Sequence, residues 1–308
     1  MISNDELLTI VVESRLSHPT VIRTMAAQRL PAERWRERPL VLVAADHPAR
    51  GVVAAGADPW AMADRGELLR RLARVLMQPF VDGVLVTPDI MEELWMLQAW
   101  VRDQGGPAFL DGKLLIGSMN RAGLAGAAFE SEDVVTAYTP QGLAEAHMDA
   151  GKLLLRLNLS ESRAIRTIEA VVAALNELAA LNLPVFLEPI AVPLTTDELV
   201  RLMGVASGLG QTSLGRWLKV PMVEEFHRVA RATSYPLVLL GGAERQDQAV
   251  LLQRIARCLN EAPTVRGVLM GRSVLYPEDG SDPRRVLASI AELLRGDAIR
   301  EVVEWPGL

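Results

Sequence analysis

The amino-acid sequence predicts an α/β protein in which eight strand–helix units close into a parallel barrel. Short apolar runs alternate with segments of helical periodicity, and this alternation continues through eight units. The length of 308 residues suits one (β/α)8 barrel of about 250 residues with an extension. Half of the residues are hydrophobic and only 5% are aromatic, which is typical of parallel strands that bury aliphatic side chains on both faces. We therefore predict a (β/α)8 TIM barrel with an N-terminal helical extension.

The predicted elements follow in chain order. Residues 1–38 carry helical patterns, and we interpret them as an N-terminal helical cap on a catalytic barrel of residues 39–308. The predicted strands are Leu40–Ala45, Gly83–Thr87, Lys113–Ser118, Lys152–Leu157, Val185–Glu188, Arg216–Val220, Leu237–Gly241 and Gly267–Gly271. The predicted helices are Arg65–Met77, Asp89–Arg102, Gln141–Ala150, Ser162–Leu181, Thr196–Val205, Met222–Ala232, Gln246–Asn260 and Pro283–Leu294. Two long loops, Ala49–Asp64 and Met119–Pro140, follow strands one and three, on the face where barrels carry their sites.

Composition and charge argue against several classes of partner. A net charge of -6, with no cluster of Lys and Arg interleaved with aromatics, argues against a nucleic-acid surface. No apolar run approaches the roughly 18 residues that a membrane span needs, and the acidic N-terminus is unlike a signal peptide. We expect a cytoplasmic homo-oligomer that contacts neither membrane nor nucleic acid.

The chain contains only three lysines, Lys113, Lys152 and Lys219, among 32 basic residues. Each lysine lies within or beside a short apolar run, whereas arginine supplies the other cations. Arginine stays protonated in proteins, but a desolvated lysine can lose its proton and act as a nucleophile. The pattern therefore indicates a need for an amine. Chance combined with an Arg-favouring coding bias is the alternative, above all for Lys113.

Strand one ends in Asp46 and His47. Barrel enzymes carry their catalytic residues at the carboxyl ends of the strands, so we expect Asp46 to be catalytic. The alternative is an Asp that caps the following turn. His47 is a second polar group of the site, or a residue that holds Asp46.

Strand four carries Lys152, Arg156 and Asn158 on one face, because side chains alternate along a strand. A lysine buried against the helices would lack a partner and cost free energy, so this face is expected to line a polar cavity. Strands five and six add Glu188 and Lys219.

Alternate strands contribute to one interior layer of a barrel, so Lys152 and Lys219 are expected to approach each other. A neighbouring cation and apolar surroundings both lower the pKa of a lysine, which increases its fraction of neutral amine. Glu188 is then available as a proton shuttle. An internal Lys–Glu ion pair that merely closes the barrel is the alternative.

The last two strands end in glycines, Gly241 and Gly242 after strand seven and Gly271 before Arg272 after strand eight. Barrels commonly bind phosphate at the loops after these two strands. Arg272 adds a bidentate partner for an anion. We expect a phosphate site here.

These residues together resemble the class I aldolase superfamily, which includes archaeal-type fructose-bisphosphate, tagatose-bisphosphate and deoxyribose-phosphate aldolases. The resemblance covers about residues 40 to 295. The matching segments are Ala45-Asp46-His47, Leu187-Glu188-Pro189, Leu218-Lys219-Val220, Gly241-Gly242 and Gly267–Ser273. The chain is also similar to uncharacterised barrel proteins encoded near bacterial myo-inositol catabolism genes.

The resemblance implies a role for each matching residue. Lys219 falls on the Schiff-base lysine, and Lys152 on the strand-four lysine of the tagatose-bisphosphate branch. Asp46 and Glu188 fall on polar site residues, and the last glycines with Arg272 fall on the phosphate cradle. One departure is that Ile190 stands where the fructose-bisphosphate branch continues with a Trp-x-Tyr pattern, which argues against fructose 1,6-bisphosphate.

The predicted function is therefore a class I aldolase, a carbon–carbon lyase that needs no metal and no cofactor. Its partner is a small phosphorylated keto sugar or sugar acid. If the inositol resemblance holds, the substrate is 2-deoxy-5-keto-gluconate 6-phosphate, whose carboxylate would meet Arg50, Arg121 and Arg156. Two alternatives stay open: a metal-assisted lyase that uses Asp46, His47 and Glu188, and a non-catalytic barrel that acts as a binding or assembly partner.

Overall fold

The computed structural model describes residues 2–33, 35–120, 124–158, 160–242, 247–296, 298–299 and 301–308. Its centre is a closed barrel of eight parallel strands, each paired with its neighbours in sequence and the last paired with the first. The strands are β1 (Leu40–Ala44), β2 (Gly83–Val86), β3 (Leu114–Ser118), β4 (Ala150–Leu157), β5 (Val185–Ala191), β6 (Arg216–Pro221), β7 (Leu237–Leu240) and β8 (Val265–Met270). The predicted (β/α)8 fold is confirmed.

Helices cover the outside of this barrel. Two precede β1, namely α1 (Asn4–Ser17) and α2 (Val21–Gln28). Those that follow strands are α3 (Arg65–Leu76), α4 (Pro88–Asp103), α5 (Pro140–Glu145), α6 (Ala164–Ala180), α7 (Thr196–Gly208), α8 (Phe226–Arg231), α9 (Gln248–Glu261), α10 (Arg272–Leu275) and α11 (Pro283–Arg295). A 3-10 turn, Pro48–Arg50, follows β1.

Two predicted helices are wrong in extent. The helix predicted over Gln141–Ala150 is α5, which ends at Glu145, because His147 adopts a left-handed φ of 53° and Ala150 already pairs in β4. The helix predicted over Met222–Ala232 is α8, which begins only at Phe226, after Glu225 at a φ of 49°. A left-handed residue interrupts a right-handed helix, and apolar periodicity does not reveal it.

The interior of the barrel is a separate apolar core. Side chains alternate along each strand, so every second residue points inward. The interior core consists of Trp35, Leu40, Leu42, Ala44, Leu85, Leu114, Ile116, Ala150, Phe186, Trp217, Val238 and Leu269. Trp35, which precedes β1, packs its ring 5.5 Å from that of Trp217 and 6.3 Å from that of Phe186. The amino-terminal segment thus contributes an aromatic ring to this core, in addition to its helices.

The helices α1 and α2 lie on the outer face, where α1 packs against α3 and α4 and α2 packs against α4. Leu7 and Val11 of α1 are buried in the outer core. The start of α1 has a capping box in which Ser3 and Glu6 satisfy each other's backbone N–H groups. Arg34, Arg121 and residues 243–246 lie outside the described residues.

Candidate active site

The charged residues predicted at the strand ends lie together inside the carboxyl end of the barrel. Each lies two residues beyond an interior core residue of its strand, and the pairs are Ala150 and Lys152, Phe186 and Glu188, and Trp217 and Lys219. The alternation that directs the core residues inward therefore directs these side chains inward too. They form a polar layer directly above the apolar interior.

Glu188 lies between the two lysines of this layer. Its Oε1 is 2.8 Å from Lys219 Nζ, and its Oε2 forms an ion pair with Lys152 Nζ. Lys152 is fully buried, and Lys219 and Glu188 are 5% and 8% exposed. The structure thus brings both lysines onto one carboxylate.

Asp46 completes the layer on the side of β1. Its Oδ2 accepts a hydrogen bond from Ser118 Oγ at 3.1 Å and lies 3.6 Å from Lys152 Nζ. Its Oδ1 is 3.7 Å from His47 Nδ1. The buried quartet of Asp46, Lys152, Glu188 and Lys219 therefore contains two cations and two carboxylates.

The pKa of Glu188 shows which influence dominates in this quartet. Burial raises the pKa of the Glu188 carboxyl, because a charged carboxylate is poorly solvated there. The positive charges of Lys152 and Lys219 outweigh burial and the repulsion from Asp46, and they hold the pKa of Glu188 at about 2. Glu188 is therefore ionised at neutral pH, and both lysines lie within ion-pair distance of it.

A cavity of about 520 Å³ opens above the quartet, a size typical of small-molecule sites. It lies at the carboxyl ends of the strands, where barrel enzymes carry their active sites. Its lining includes Asp46, His47, Arg50, Glu130, Leu154, Arg156, Glu188, Ile190, Lys219, Pro221, Leu240, Gly241, Gly242, Arg254, Leu269, Gly271 and Arg272.

The predicted phosphate residues, which come after β7 and β8, all line this cavity, and so does Arg254 of α9. A Cβ on Gly241 would lie 2.0 Å from Ser273 Oγ, and one on Gly271 would lie 2.5 Å from His47 Cε1. These two glycines therefore make room for side chains of the same chain. Gly242 is exposed and has a left-handed φ of 75°, which glycine tolerates best.

The predicted residues of β4 separate into two groups. Arg156 lines the cavity, as does Leu154. Asn158 lies outside that lining, and its side chain binds Ser160 and Glu161 in the loop that follows. The predicted polar face thus reaches as far as Arg156. Arg121, predicted to meet a carboxylate, is outside the described residues.

Lys113 lies at the opposite end of the barrel, before β3. Its Nζ donates hydrogen bonds to the carbonyl oxygens of Gln78 and Val81, at 2.8 and 2.6 Å. It therefore does not belong to the site.

Sequence reasoning missed three residues of the site: Ser118, Glu130 and Arg254. Ser118 is the last residue of β3 and follows the inward positions Leu114 and Ile116, so period two could have found it. Glu130 belongs to the long loop after β3, where no periodicity applies.

The metal-assisted alternative has no ligand set within the described part of the chain. No group of three or more His, Cys, Asp or Glu side chains there is arranged to hold a metal ion. Lys152 occupies the space between Asp46 and Glu188, where its ammonium group supplies the positive charge.

Comparison with known proteins identifies the family. The model of the Cgl0159-like family matches residues 38–290. The chain belongs to the Cgl0159-like family. The crystal structure of Cgl0159 from Corynebacterium glutamicum is 38% identical, covers 96% of this chain and 99% of its own, and superposes with a TM-score of 0.86. Among curated protein sequences, none matches.

More distant structures share the fold of this Cgl0159-like chain. An archaeal fructose 1,6-bisphosphate aldolase is 16% identical, with a TM-score of 0.60 over 90% of this chain and 100% of its own. The fructose-bisphosphate aldolase of Slackia heliotrinireducens is 14% identical, with a TM-score of 0.58 over 96% of this chain and 92% of its own. At identities this low, these superpositions show a shared barrel fold and nothing further. Of the helices described, none combines the length and apolar character needed to cross a bilayer.

Proposed function

We propose that this chain is a lyase of the class I aldolase type, in which Lys219 forms a covalent imine with a ketone substrate. The observation that carries the proposal is a buried lysine, paired with a carboxylate, at the floor of a ligand-sized cavity. Lys219 lines that cavity, whereas Lys152 is fully buried and outside its lining. Lys219 is therefore the lysine that a carbonyl carbon can reach.

The neutral amine of Lys219 adds to the substrate carbonyl, and loss of water gives an iminium ion. The iminium nitrogen carries the positive charge that the ammonium group carried before, so Glu188 keeps its counter-charge. When the carbon–carbon bond breaks, the hydroxyl group on the departing carbon loses its proton and becomes the aldehyde, and the iminium accepts the electron pair of the broken bond and becomes an enamine. Protonation of the enamine carbon and hydrolysis then release the ketone product and restore Lys219.

The proton transfers fall to the neighbours of Lys219. Glu188 Oε1, 2.8 Å from Lys219 Nζ, is placed to accept the proton that the ammonium group must lose. Lys152 contacts both Glu188 and Asp46 beneath the cavity, so its proposed role is to relay protons between these two carboxylates, which line the cavity. Asp46 lines the cavity and is placed to hold a substrate hydroxyl.

Two regions of the cavity support a phosphorylated substrate with a second polar end. Gly242, Arg254 and Arg272 come after β7 and β8, whereas Arg50 follows β1 and Arg156 is on β4; all five line the cavity. Cleavage of 2-deoxy-5-keto-gluconate 6-phosphate fits these charges. Its ketone would form the imine, and its products would be dihydroxyacetone phosphate and malonate semialdehyde. The resemblance to barrel proteins of inositol catabolism clusters leads to this substrate, and the described charges are compatible with it.

The test is to trap the imine. The protein is incubated with dihydroxyacetone phosphate, reduced with borohydride and digested, and the modified peptide is identified by mass spectrometry. We expect one adduct, on Lys219. Glycerol 3-phosphate, which lacks the carbonyl, is the matched control and leaves the mass unchanged. An adduct on Lys113 or Lys152 with Lys219 unmodified contradicts the proposal, as does the absence of any adduct with a panel of ketone phosphates.

A further inference from the structure

A second cluster of charges lies at the rim of the cavity. It comprises Arg50, Glu130, Asp133 and Arg156, and we refer to it as the rim cluster. Glu130 Oε1 accepts a hydrogen bond from Arg156 Nη1 at 2.9 Å and lies 3.5 Å from Arg50 Nη2. Asp133 Oδ1 is 3.2 Å from Arg50 Nη1, and Asp133 Oδ2 is 3.4 Å from Arg156 Nη2. Each arginine thus contacts both carboxylates.

The two carboxylates differ in how firmly they are held. Asp133 is fully buried, and its backbone N–H donates to Thr167 Oγ1 while its carbonyl accepts from Asn120. The Glu130 side chain is 41% exposed, and its second oxygen accepts a hydrogen bond from the Gly126 backbone N–H within the same loop. Asp133 is therefore a fixed partner of the arginines, whereas Glu130 can turn away from them into solvent.

Arg156 retains hydrogen-bonding capacity for another anion. Arg156 Nε and Nη2 are buried and make no hydrogen bond to the residues that the structure describes. Arg50 and Arg156 line the cavity together with Glu130, and Asp133 is outside that lining. If Glu130 turned away, the guanidinium groups of Arg50 and Arg156 would face the cavity, with the buried Asp133 still paired to both. Each planar guanidinium can donate two parallel hydrogen bonds to two oxygens of a carboxylate or a phosphate.

We infer that Arg50 and Arg156 bind a second anionic group of the substrate, a phosphate or a carboxylate, and that Glu130 occupies this place until the substrate displaces it. The inference rests on the proposed function, because it takes the cavity as the substrate site. Arg156 is on β4, which is four places from β8 in the closed strand order. Arg50 follows β1, which pairs with β8, so Arg156 is the arginine of the rim cluster that lies across the barrel mouth from Arg272. A substrate with one anion at Arg156 and another at Arg272 would span Lys219.

The experiment measures binding of three polyols by calorimetry. Sorbitol 6-phosphate carries one anionic end, sorbitol 1,6-bisphosphate carries a phosphate at the other end, and 6-phosphogluconate carries a carboxylate there. None of them has a ketone or an aldehyde in its open chain, so their binding does not depend on imine formation. Failure of the proposed function appears separately, as absence of the borohydride adduct on Lys219.

The variants are Glu130→Gln, Arg156→Gln and the control Glu132→Gln. Glu132 is on the same loop but pairs with Arg163 and Arg166, whose side chains are 60% and 69% exposed. Glu130→Gln removes a competing, half-exposed charge, so we expect it to tighten binding of a doubly anionic ligand by about twofold to fivefold. Arg156→Gln should weaken that binding by about tenfold or more. The affinity for sorbitol 6-phosphate should be the same in the parent protein, in Glu130→Gln and in Arg156→Gln.

The outcomes separate as follows. Tightening of the bisphosphate alone assigns the place to a phosphate, and tightening of 6-phosphogluconate alone assigns it to a carboxylate. Equal effects of Glu130→Gln and Glu132→Gln overturn the inference. So does a parent protein that binds all three polyols alike or binds none. Glu130→Gln lies at the surface and is decisive even if Arg156→Gln impairs folding, which thermal unfolding would reveal.

Discussion

The two ends of the barrel contain similar residues but use them differently. At the carboxyl end, Lys152 and Lys219 contact carboxylates beneath a cavity. At the amino end, Lys113 binds two backbone carbonyls. Asp82 accepts there from Arg38 Nη2 at 2.6 Å and from the backbone N–H of Val41 at 2.7 Å, and it also pairs with Arg295. The charged groups of the amino end thus tie the chain to itself.

The two ends of the barrel differ in the group that contacts the lysine ammonium. A backbone carbonyl holds an ammonium group in place but cannot take its proton, whereas a carboxylate can do both. Burial lowers the pKa of Lys113 to about 8, even though Asp82 opposes this effect. Burial thus lowers the pKa of a lysine at the amino end of the barrel, outside the candidate site. A buried lysine is a candidate nucleophile when a proton acceptor and a ligand-sized space accompany it.

The sharpest test of the comparison exchanges a lysine for arginine at each end. Lys219→Arg keeps a cation beside Glu188 but cannot form an imine, so we expect complete loss of trapping and of turnover. Lys113→Arg, the control at the amino end, should retain trapping. Borohydride labelling followed by intact mass measurement checks both, with circular dichroism to confirm folding. Equal trapping in the two variants would remove the distinction between the ends.

The next effect concerns the carboxylates. Glu188→Gln should slow turnover by about 10²–10⁴-fold while imine trapping persists, because the amide cannot accept the proton of Lys219. Asp82→Asn at the amino end should leave turnover unchanged. Each change breaks a buried ion pair and should lower the free energy of unfolding by about 3–5 kcal/mol. Rates and urea unfolding measure both.

A Glu188→Gln protein that does not fold, with no trapping at all, would support the alternative in which the Lys–Glu pair only closes the barrel. An equal loss of turnover in Asp82→Asn would show that both ends act through stability. The proposed division requires a loss of rate at one end alone.

The amino end has its own signature in the pH dependence of stability. The pKa of Lys113 falls from 10.5 to about 8 on folding, so between these values the unfolded chain holds a proton that the folded chain has released. Stability therefore rises with pH through this window, and Lys113 contributes no pH dependence below about pH 8, where it is protonated in both the folded and the unfolded chain. The gain is roughly 3 kcal/mol. Urea unfolding from pH 7 to 10.5 should show this rise in the parent relative to Lys113→Met. Parallel curves would contradict the interpretation.

The alternation of side chains along each strand made part of the candidate site predictable from the sequence. Lys152, Glu188 and Lys219 each follow an inward residue by two positions, so their convergence was visible in the sequence. Their shared contact was less visible, because it depends on the register of neighbouring strands, in which Glu188 lies opposite Leu154. The alternation of side chains along a strand determines whether a residue points into the barrel, and the register with the neighbouring strand determines its position along the barrel axis.

The long loop after β3 shows what could not be predicted. Asn120 pins the start of this loop to β4, where its side chain donates to the carbonyl of Leu154 at 2.6 Å and accepts from its N–H at 2.7 Å. Asp133 and Glu130 reach the arginines only because of that path. Such contacts join residues far apart in sequence, and no local pattern encodes them.

The smallest expected effect tests which side of the carboxyl end receives the phosphate. Arg272 lines the cavity just after β8, whereas Arg266 lies on the same strand with its side chain exposed outside the barrel. A charge-assisted contact to phosphate contributes about 1.5–3 kcal/mol. Arg272→Ala should therefore weaken dihydroxyacetone phosphate by about tenfold to a hundredfold. It should leave dihydroxyacetone nearly unchanged, and Arg266→Ala should alter neither ligand. Calorimetric titration of both ligands decides the point. If the parent binds the two ligands alike, or if Arg272→Ala matches Arg266→Ala, the phosphate is not bound at β8, and the substrate proposed for this barrel loses its support.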